Sequence, residues 1–277
     1  AAVAQAAMDS GVAKQPIFDM DNYRHELRAR LDPIAGPMQQ ILEQVRANPA
    51  RVAFAEGEEE RVMRAAVSFR NAGLGTPILV GDEDKIREGL TSLGHGDLGG
   101  IEIASPNSDQ YIEGYTEYLY QRLQRQGVLH RECERMVRVY RTVFAGCMVA
   151  AGDADAIITG GTRSYNDVLD DIHRVLDPAP GSLVFGLSIL VARGRTIFIA
   201  DTTVHERPTA EELAGIAEQS ARLARLLGHE PRVAMLSFSN FGNPVRERTD
   251  RIRDAVGLLD ERDVSFEYDG EMTVEVA

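Results

Sequence analysis

Tryptophan is absent, cysteine occurs twice, and aromatic residues make up only 6% of the 277 residues. Two cysteines exclude a disulfide-stapled scaffold, and Cys133 and Cys147 have no Cys/His cluster beside them from which a structural zinc site is built. Both read as reduced core thiols. Long apolar runs are also missing. The longest, Ser182 to Ala192, is interrupted by serine and glycine and falls short of the ~20 residues that span a bilayer. Basic runs are absent, and 30 Lys/Arg against 43 Asp/Glu leave a net charge of −13. That balance lacks the electrostatic footprint of a nucleic-acid or anionic-membrane binder, so small molecules and other subunits are the expected partners. Ala1 to Ala7 are small and apolar without the basic start of a secretory signal, which favours a cytoplasmic protein or a fragment of one. No Walker loop, Gly-x-Ser-x-Gly elbow or His-Glu-x-x-His is present, and no Gly-x-Gly-x-x-Gly follows a strand.

What is present is a regular alternation. Val52 to Ala55 reads as a strand, Glu56-Gly57 as a turn, and Val62, Met63, Ala66, Val67 and Phe69 recur at helical spacing. Pro77 to Val80 is a second strand, with a helix from Gly81-Asp82 through Leu90, and Ile101 to Ala104 is a third. Asp109 to Arg125 and Glu132 to Ala151 read as long helices parted at Gly127. Ala154 to Thr159 is a strand, followed by Gly160-Gly161 and a helix to about Leu176. This rhythm predicts a mainly parallel sheet with helices on both faces. Asp177-Pro178-Ala179-Pro180-Gly181 is the densest breaker cluster and marks a domain boundary. Beyond it, Leu183 to Leu190 and Thr196 to Ala200 read as a hairpin around Arg193-Gly194, followed by a helix from Thr209 to Leu227. A strand at Val233 to Leu236, a helix from Arg246 to Leu259 and a strand at Val264 to Tyr268 complete the pattern. Ahead of all this, Asp21 to Leu31 reads as a charged amphipathic helix ending before Pro33.

Three segments carry candidate chemistry, each following a strand, where open parallel sheets bind ligands. Glu56 to Arg61 enters a helix, so it reads either as acidic residues complementing the helix dipole or as an anion site clamped by Arg61. Thr159-Gly160-Gly161-Thr162-Arg163-Ser164 repeats the design with hydroxyls and one arginine, and Ser237 to Asn243 offers hydroxyls, amides and glycine. His173 and His205 have no carboxylate or nucleophile at a recognisable spacing and read as surface or satisfied histidines. Pattern alone points to an α/β protein that binds a phosphorylated small molecule.

Several segments resemble the phosphate acetyltransferase and butyryltransferase family. They are Ala55 to Arg61, Asp153 to Gly160, Phe198 to Asp201 followed by Arg207 to Leu213, Pro231 to Ser239, and Asp269 to Met272, in order and spacing. Arg122 to Gly127, Ser237 to Gly242, and Ala1 to Ala13 with Tyr23 and Leu27 are similar to the branch fused behind NADP-dependent malic enzymes. The resemblance implies two three-layer α/β/α subdomains with mainly parallel sheets and an interdomain cleft. Residues 1–32 would be the tail of a preceding malic enzyme domain with a linker helix, 33–181 the first subdomain, and 182–277 the second, without the family's C-terminal return segment.

The implied function is regulatory and oligomerising, with acetyl-CoA or CoA as effector and a homo-oligomer as the assembly. An active phosphate acetyltransferase and a purely structural dimerisation module are the alternatives. No cofactor is implied for this domain; NADP and a divalent metal, Mg or Mn, are implied for the preceding one. Arg61 is assigned to the diphosphate or 3′-phosphate of CoA. Thr159, Gly160 and Gly161 supply backbone or hydroxyl contacts, Ser237, Ser239 and Asn240 line the opposite wall, and Arg122 and Arg163 are further candidates. The transferase pattern of His, Asp and Arg after the glycine turn is altered: Arg163 stands for the His, Asp167 keeps the Asp, and Asp170 replaces the Arg. A carboxylate in place of that arginine repels acetyl phosphate, which speaks against turnover.

Overall fold

The computed structural model describes residues 2–13, 17, 23, 35–96, 99–192, 195–244 and 247–277. They fall into two compact units, one of residues 42–177 and one of residues 1–41 and 178–277. The later division falls at the Asp177–Gly181 breaker cluster. The expected helix over 21–31, Tyr23 apart, and the Arg193-Gly194 turn lie outside the described residues.

In the unit of 42–177, β1 (Ala50–Phe54), β2 (Gly75–Val80), β3 (Glu102–Ala104) and β4 (Ala156–Ile158) form one sheet in the order β3-β2-β1-β4. Every pairing is parallel, with Ala53 opposite both Ile78 and Ile157. Between the strands run α3 (Glu60–Asn71), α4 (Glu83–Ser92), α5 (Asp109–Leu123), α6 (His130–Val139) and α7 (Arg141–Ala151), and α8 (Tyr165–Val175) follows β4; α2 (Ala35–Ala47) precedes β1 and α1 (Ala2–Asp9) lies near the start. Because side chains alternate along a strand, Ala53, Ala55, Ile78 and Val80 enter one core with α5 to α8. Val52, Phe54 and Leu79 enter a second core with Met63, Ala66 and Val67 of α3 and Ile86 and Leu90 of α4. The continuous apolar run of β1 is therefore the signature of a strand buried on both faces.

The expected single helix from Glu132 to Ala151 is two helices, broken at Tyr140, whose backbone is extended (φ −96°, ψ 103°). The cause lies in burial. α6 keeps charged residues on an exposed face, whereas α7 is buried without interruption from Thr142 to Met148. One straight axis cannot satisfy both, and the chain changes direction at Tyr140. Cys133 and Cys147 are buried free thiols in this region, and burial pushes Cys147 up to about 12.

The other unit contains the antiparallel hairpin of β5 (Leu187–Ala192) and β6 (Arg195–Ala200), then α9 (Ala210–Leu226), β7 (Arg232–Leu236), α10 (Glu247–Glu261) and β8 (Glu267–Met272). β7 and β8 pair in parallel and share a core with α9 and α10 built on Ala214, Ala217, Ala221, Met235, Ala255 and Leu259. Thr209 begins α9 with a reciprocal cap: its hydroxyl accepts from the Glu212 N–H, and the Glu212 carboxylate accepts from the Thr209 N–H. The last strand begins at Glu267 rather than Val264, because its partner β7 begins only at Arg232, opposite Glu267, after Pro231, which has no N–H to pair; the Ser265 carbonyl and hydroxyl are taken by Arg225 (2.7 and 2.9 Å). Among the described residues no helix is long and apolar enough to cross a membrane.

Phe144 has no exposed surface and meets the rings of Tyr111 and Tyr115 edge-on, 5.8 and 5.3 Å between centroids. Phe144→Ala is expected to cost about 3–5 kcal/mol in urea unfolding, against about 0.5 kcal/mol or less for Val139→Ala on the exposed end of α6. Equal effects would contradict this placement of the core.

Candidate functional site

The loop after β1 is shaped by Gly57. Its N–H bonds the Val80 carbonyl at 3.0 Å, and a Cβ added there would lie 2.7 Å from the Val80 nitrogen, so no side chain fits. With Gly57 seated on the end of β2, Glu56 and Glu58 are directed to different neighbours. Glu56 Oε1 accepts the N–H groups of Gly160 (3.1 Å), Gly161 (3.0 Å) and Thr162 (3.3 Å), and the Thr162 hydroxyl at 3.4 Å. Glu58 Oε1 accepts the Asp82 N–H and Arg141 Nη2, both at 2.8 Å, while Lys85 stands 3.4 Å from Oε2. Glu60 pairs along the helix with Arg64. The first two carboxylates of the run thus cap neighbouring loops and the helical one makes a local pair.

The expected contacts can now be located. Arg61 is exposed on the first turn of α3, without a hydrogen-bond or ionic partner among the described residues. The Thr159 hydroxyl lies 3.1 Å from that of buried Thr142. The amides of Gly160 and Gly161 are engaged by Glu56. Arg163 donates to Asp171 at 2.5 Å, with its guanidinium carbon 5.5 Å from the Tyr140 ring centre. Asp171 is buried and also holds Arg174 at 2.9 Å. Asp167 accepts the Ser164 hydroxyl, which itself caps α8 by accepting the Asp167 N–H. Arg122 forks onto Asp177 at 2.8 and 2.9 Å, and this pairing holds the Asp177 carboxyl below its ordinary range. A cavity of about 320 Å³ brings Arg122 together with Gln126, Asp170, His173 and Arg174.

In the other unit the loop after β7 is fastened to β8. Ser237 N–H bonds the Met272 carbonyl (2.8 Å), Asn240 Oδ1 accepts the Thr273 N–H (2.8 Å), and Gly242 N–H reaches the buried Glu271 carboxylate (2.8 Å). Ser237 and Ser239 share a hydroxyl contact of 3.1 Å, with Ser239 almost fully buried. His205 has the carboxylate partner that spacing did not reveal. Its Nδ1 is 2.7 Å from Asp201, which also accepts the N–H groups of Gly186, Thr203, Val204 and His205. Against the upward push of burial, these backbone donors hold Asp201 far below the ordinary carboxylate range. The pair spans a loop, where a four-residue spacing carries no signal of contact. Among the described residues no group of three or more His, Cys, Asp or Glu is placed to hold a metal ion.

A parallel sheet covered on both faces, with two glycine loops cross-braced at the carboxyl ends of adjacent strands, defines an open α/β fold. Residues 37–277 match the phosphate acetyl/butaryl transferase family, and the chain belongs to it. It is 50% identical over its whole length to the NADP-dependent malic enzyme of Rhizobium meliloti, of which it spans 36%. It is 30% identical over 249 residues to the phosphate acetyltransferase of Thermoanaerobacterium thermosaccharolyticum, covering 87% of this chain and 74% of that one. Its fold matches a phosphotransacetylase from Streptococcus pyogenes with a TM-score of 0.78 and 26% identity, over 86% of this chain and 72% of that one.

Burial alone raises Glu58, but the Asp82 N–H and Arg141 outweigh it and hold the carboxyl below its ordinary value of 4.5. A depressed carboxylate stabilises the fold above its unfolded pKa and loses that contribution as pH falls through the folded one. Glu58→Gln is therefore expected to cost about 1–3 kcal/mol at pH 7, with the difference from wild type shrinking as unfolding is measured below pH ~4. A difference independent of pH would contradict the ionic role.

Proposed function

We propose that this chain is a regulatory and oligomerising part of a malic enzyme, binds acetyl-CoA as effector, and does not itself transfer acetyl groups. NADP and the divalent metal belong, on this reading, to another part of the enzyme that oxidises malate. The observation that carries the non-catalytic reading is internal neutralisation around the glycine loop. Arg163 is paired with Asp171, the Gly160 to Thr162 amides are occupied by Glu56, and Asp170 stands where the transferase pattern has an arginine. An acyl phosphate arriving there meets carboxylates where it needs free donors. The match of the whole chain to 36% of an NADP-dependent malic enzyme supports the choice of enzyme.

Of the candidate arginines Arg61, Arg122 and Arg163, Arg61 is the one without a partner among the described residues and is left for a CoA phosphate, with the Thr159 hydroxyl as a further contact. Assembly is supported by the β5–β6 hairpin. It is a two-stranded sheet on which Leu190 and Ile197 remain 50% and 54% exposed. An isolated hairpin is marginal in water, and a second copy of the chain covering these residues removes that liability.

Calorimetric titration with acetyl-CoA is expected to saturate, and Arg61→Ala to weaken binding by about 1.5–3 kcal/mol, the scale of a charge-assisted hydrogen bond. Incubation with acetyl phosphate and CoA is expected to yield no acetyl-CoA. Absence of binding would overturn the effector reading, and turnover would replace it with an active transferase.

A further inference from the structure

Glu56 is itself an anion bound in a cradle. Three successive backbone N–H groups, of Gly160, Gly161 and Thr162, converge on one carboxylate oxygen with the Thr162 hydroxyl beside them. Such a run of amides makes a concavity with fixed partial positive charge. The curvature comes from Gly160, at φ +100°; a Cβ there would touch nothing, so the glycine serves the backbone conformation and not a lack of space. The cradle is not the start of the next helix. α8 begins at Tyr165 and has its own cap in Ser164 and Asp167. Nothing on the 160–162 side therefore requires a carboxylate from 104 residues earlier in the chain.

We infer that this cradle is an oxyanion site which the chain keeps closed with its own Glu56 carboxylate, so that an external phosphate group enters only by displacing Glu56. The surrounding charges are consistent with a tethered, exchangeable occupant. Glu58, two residues on, is neutralised by Arg141 and Lys85, so it does not compete for the amides. Arg163 is committed to Asp171, so it does not clamp Glu56 in place. Residues 160–163 are exposed, which leaves the outer side of the cradle open to solvent. A tethered carboxylate competes at high local concentration, and its removal converts a closed site into an open one. The inference regulates the loop assigned above to the effector but is read with inorganic phosphate alone, so it stands or falls separately from acetyl-CoA binding.

The test is a phosphate titration of the full chain at constant ionic strength, by calorimetry and by amide spectra of glycine labelled with ¹⁵N. In the wild type the Gly160 and Gly161 resonances are expected to stay in place at phosphate concentrations that move both in Glu56→Ala, whose affinity should be at least about ten-fold higher. Glu56→Gln keeps an acceptor oxygen without the charge and should fall between the two. If Glu56→Ala does not fold, Glu56→Gln decides alone by binding phosphate at Gly160 and Gly161 more tightly than the wild type. Phosphate that moves these two amides equally in every protein, or in none, would overturn the inference.

Discussion

The carboxylate of Glu56 ties the loop after β1 to the loop after β4, and much of the candidate site depends on that tie. β1 lies between β2 and β4, so its trailing loop touches both neighbours. Gly57 sits so close to Val80 that the chain has no freedom to drift, and Glu56 is consequently delivered to the amides of 160–162. Three hydrogen bonds to one charged oxygen act together, each strengthened by the charge of the acceptor.

A chain with a net charge of −13 spends several of its carboxylates inside its own structure. Glu56 and Asp201 accept backbone N–H groups, Glu58 joins a backbone donor to Arg141, and Asp171 holds Arg163 and Arg174 from a buried position. Each acidic group finds donors before it is buried, which is the condition for placing it there at all. The same arrangement removes positive potential from the loops at which a transferase would receive an anionic substrate. In a family whose name is an acyl transfer to phosphate, this is the observation on which the proposed non-catalytic reading rests.

Much of the architecture was legible in the sequence, and the reasons are local. The apolar run through Phe54, the breakers at Gly73 and Gly75, and Gly160-Gly161 after β4 report strand burial and turns directly. The division near Asp177 was legible because proline and glycine concentrate there. The break at Tyr140 was not, because its cause is the change from a half-exposed helix to a fully buried one, which appears only once the core is assembled. The start of β8 was hidden for a similar reason, since it is set by the start of its partner β7 at Arg232, 35 residues earlier. Within the site, the loops were visible but their occupants were not. Glu56 meets Gly160, Arg163 meets Asp171 and Asp201 meets His205 through folded geometry, and only the contacts of the folded chain distinguish a free donor from an engaged one.

The most direct test of this account is amide hydrogen exchange at Gly160, Gly161 and Thr162. These residues lie in an exposed turn outside any regular element, so without the Glu56 carboxylate their N–H groups would exchange as fast as those of an unstructured peptide. The account predicts clear protection of all three at neutral pH, comparable with amides inside α8 and lost in Glu56→Ala. Exchange at the unprotected rate in the wild type would contradict it, and with it the view that the chain fills its own ligand loop.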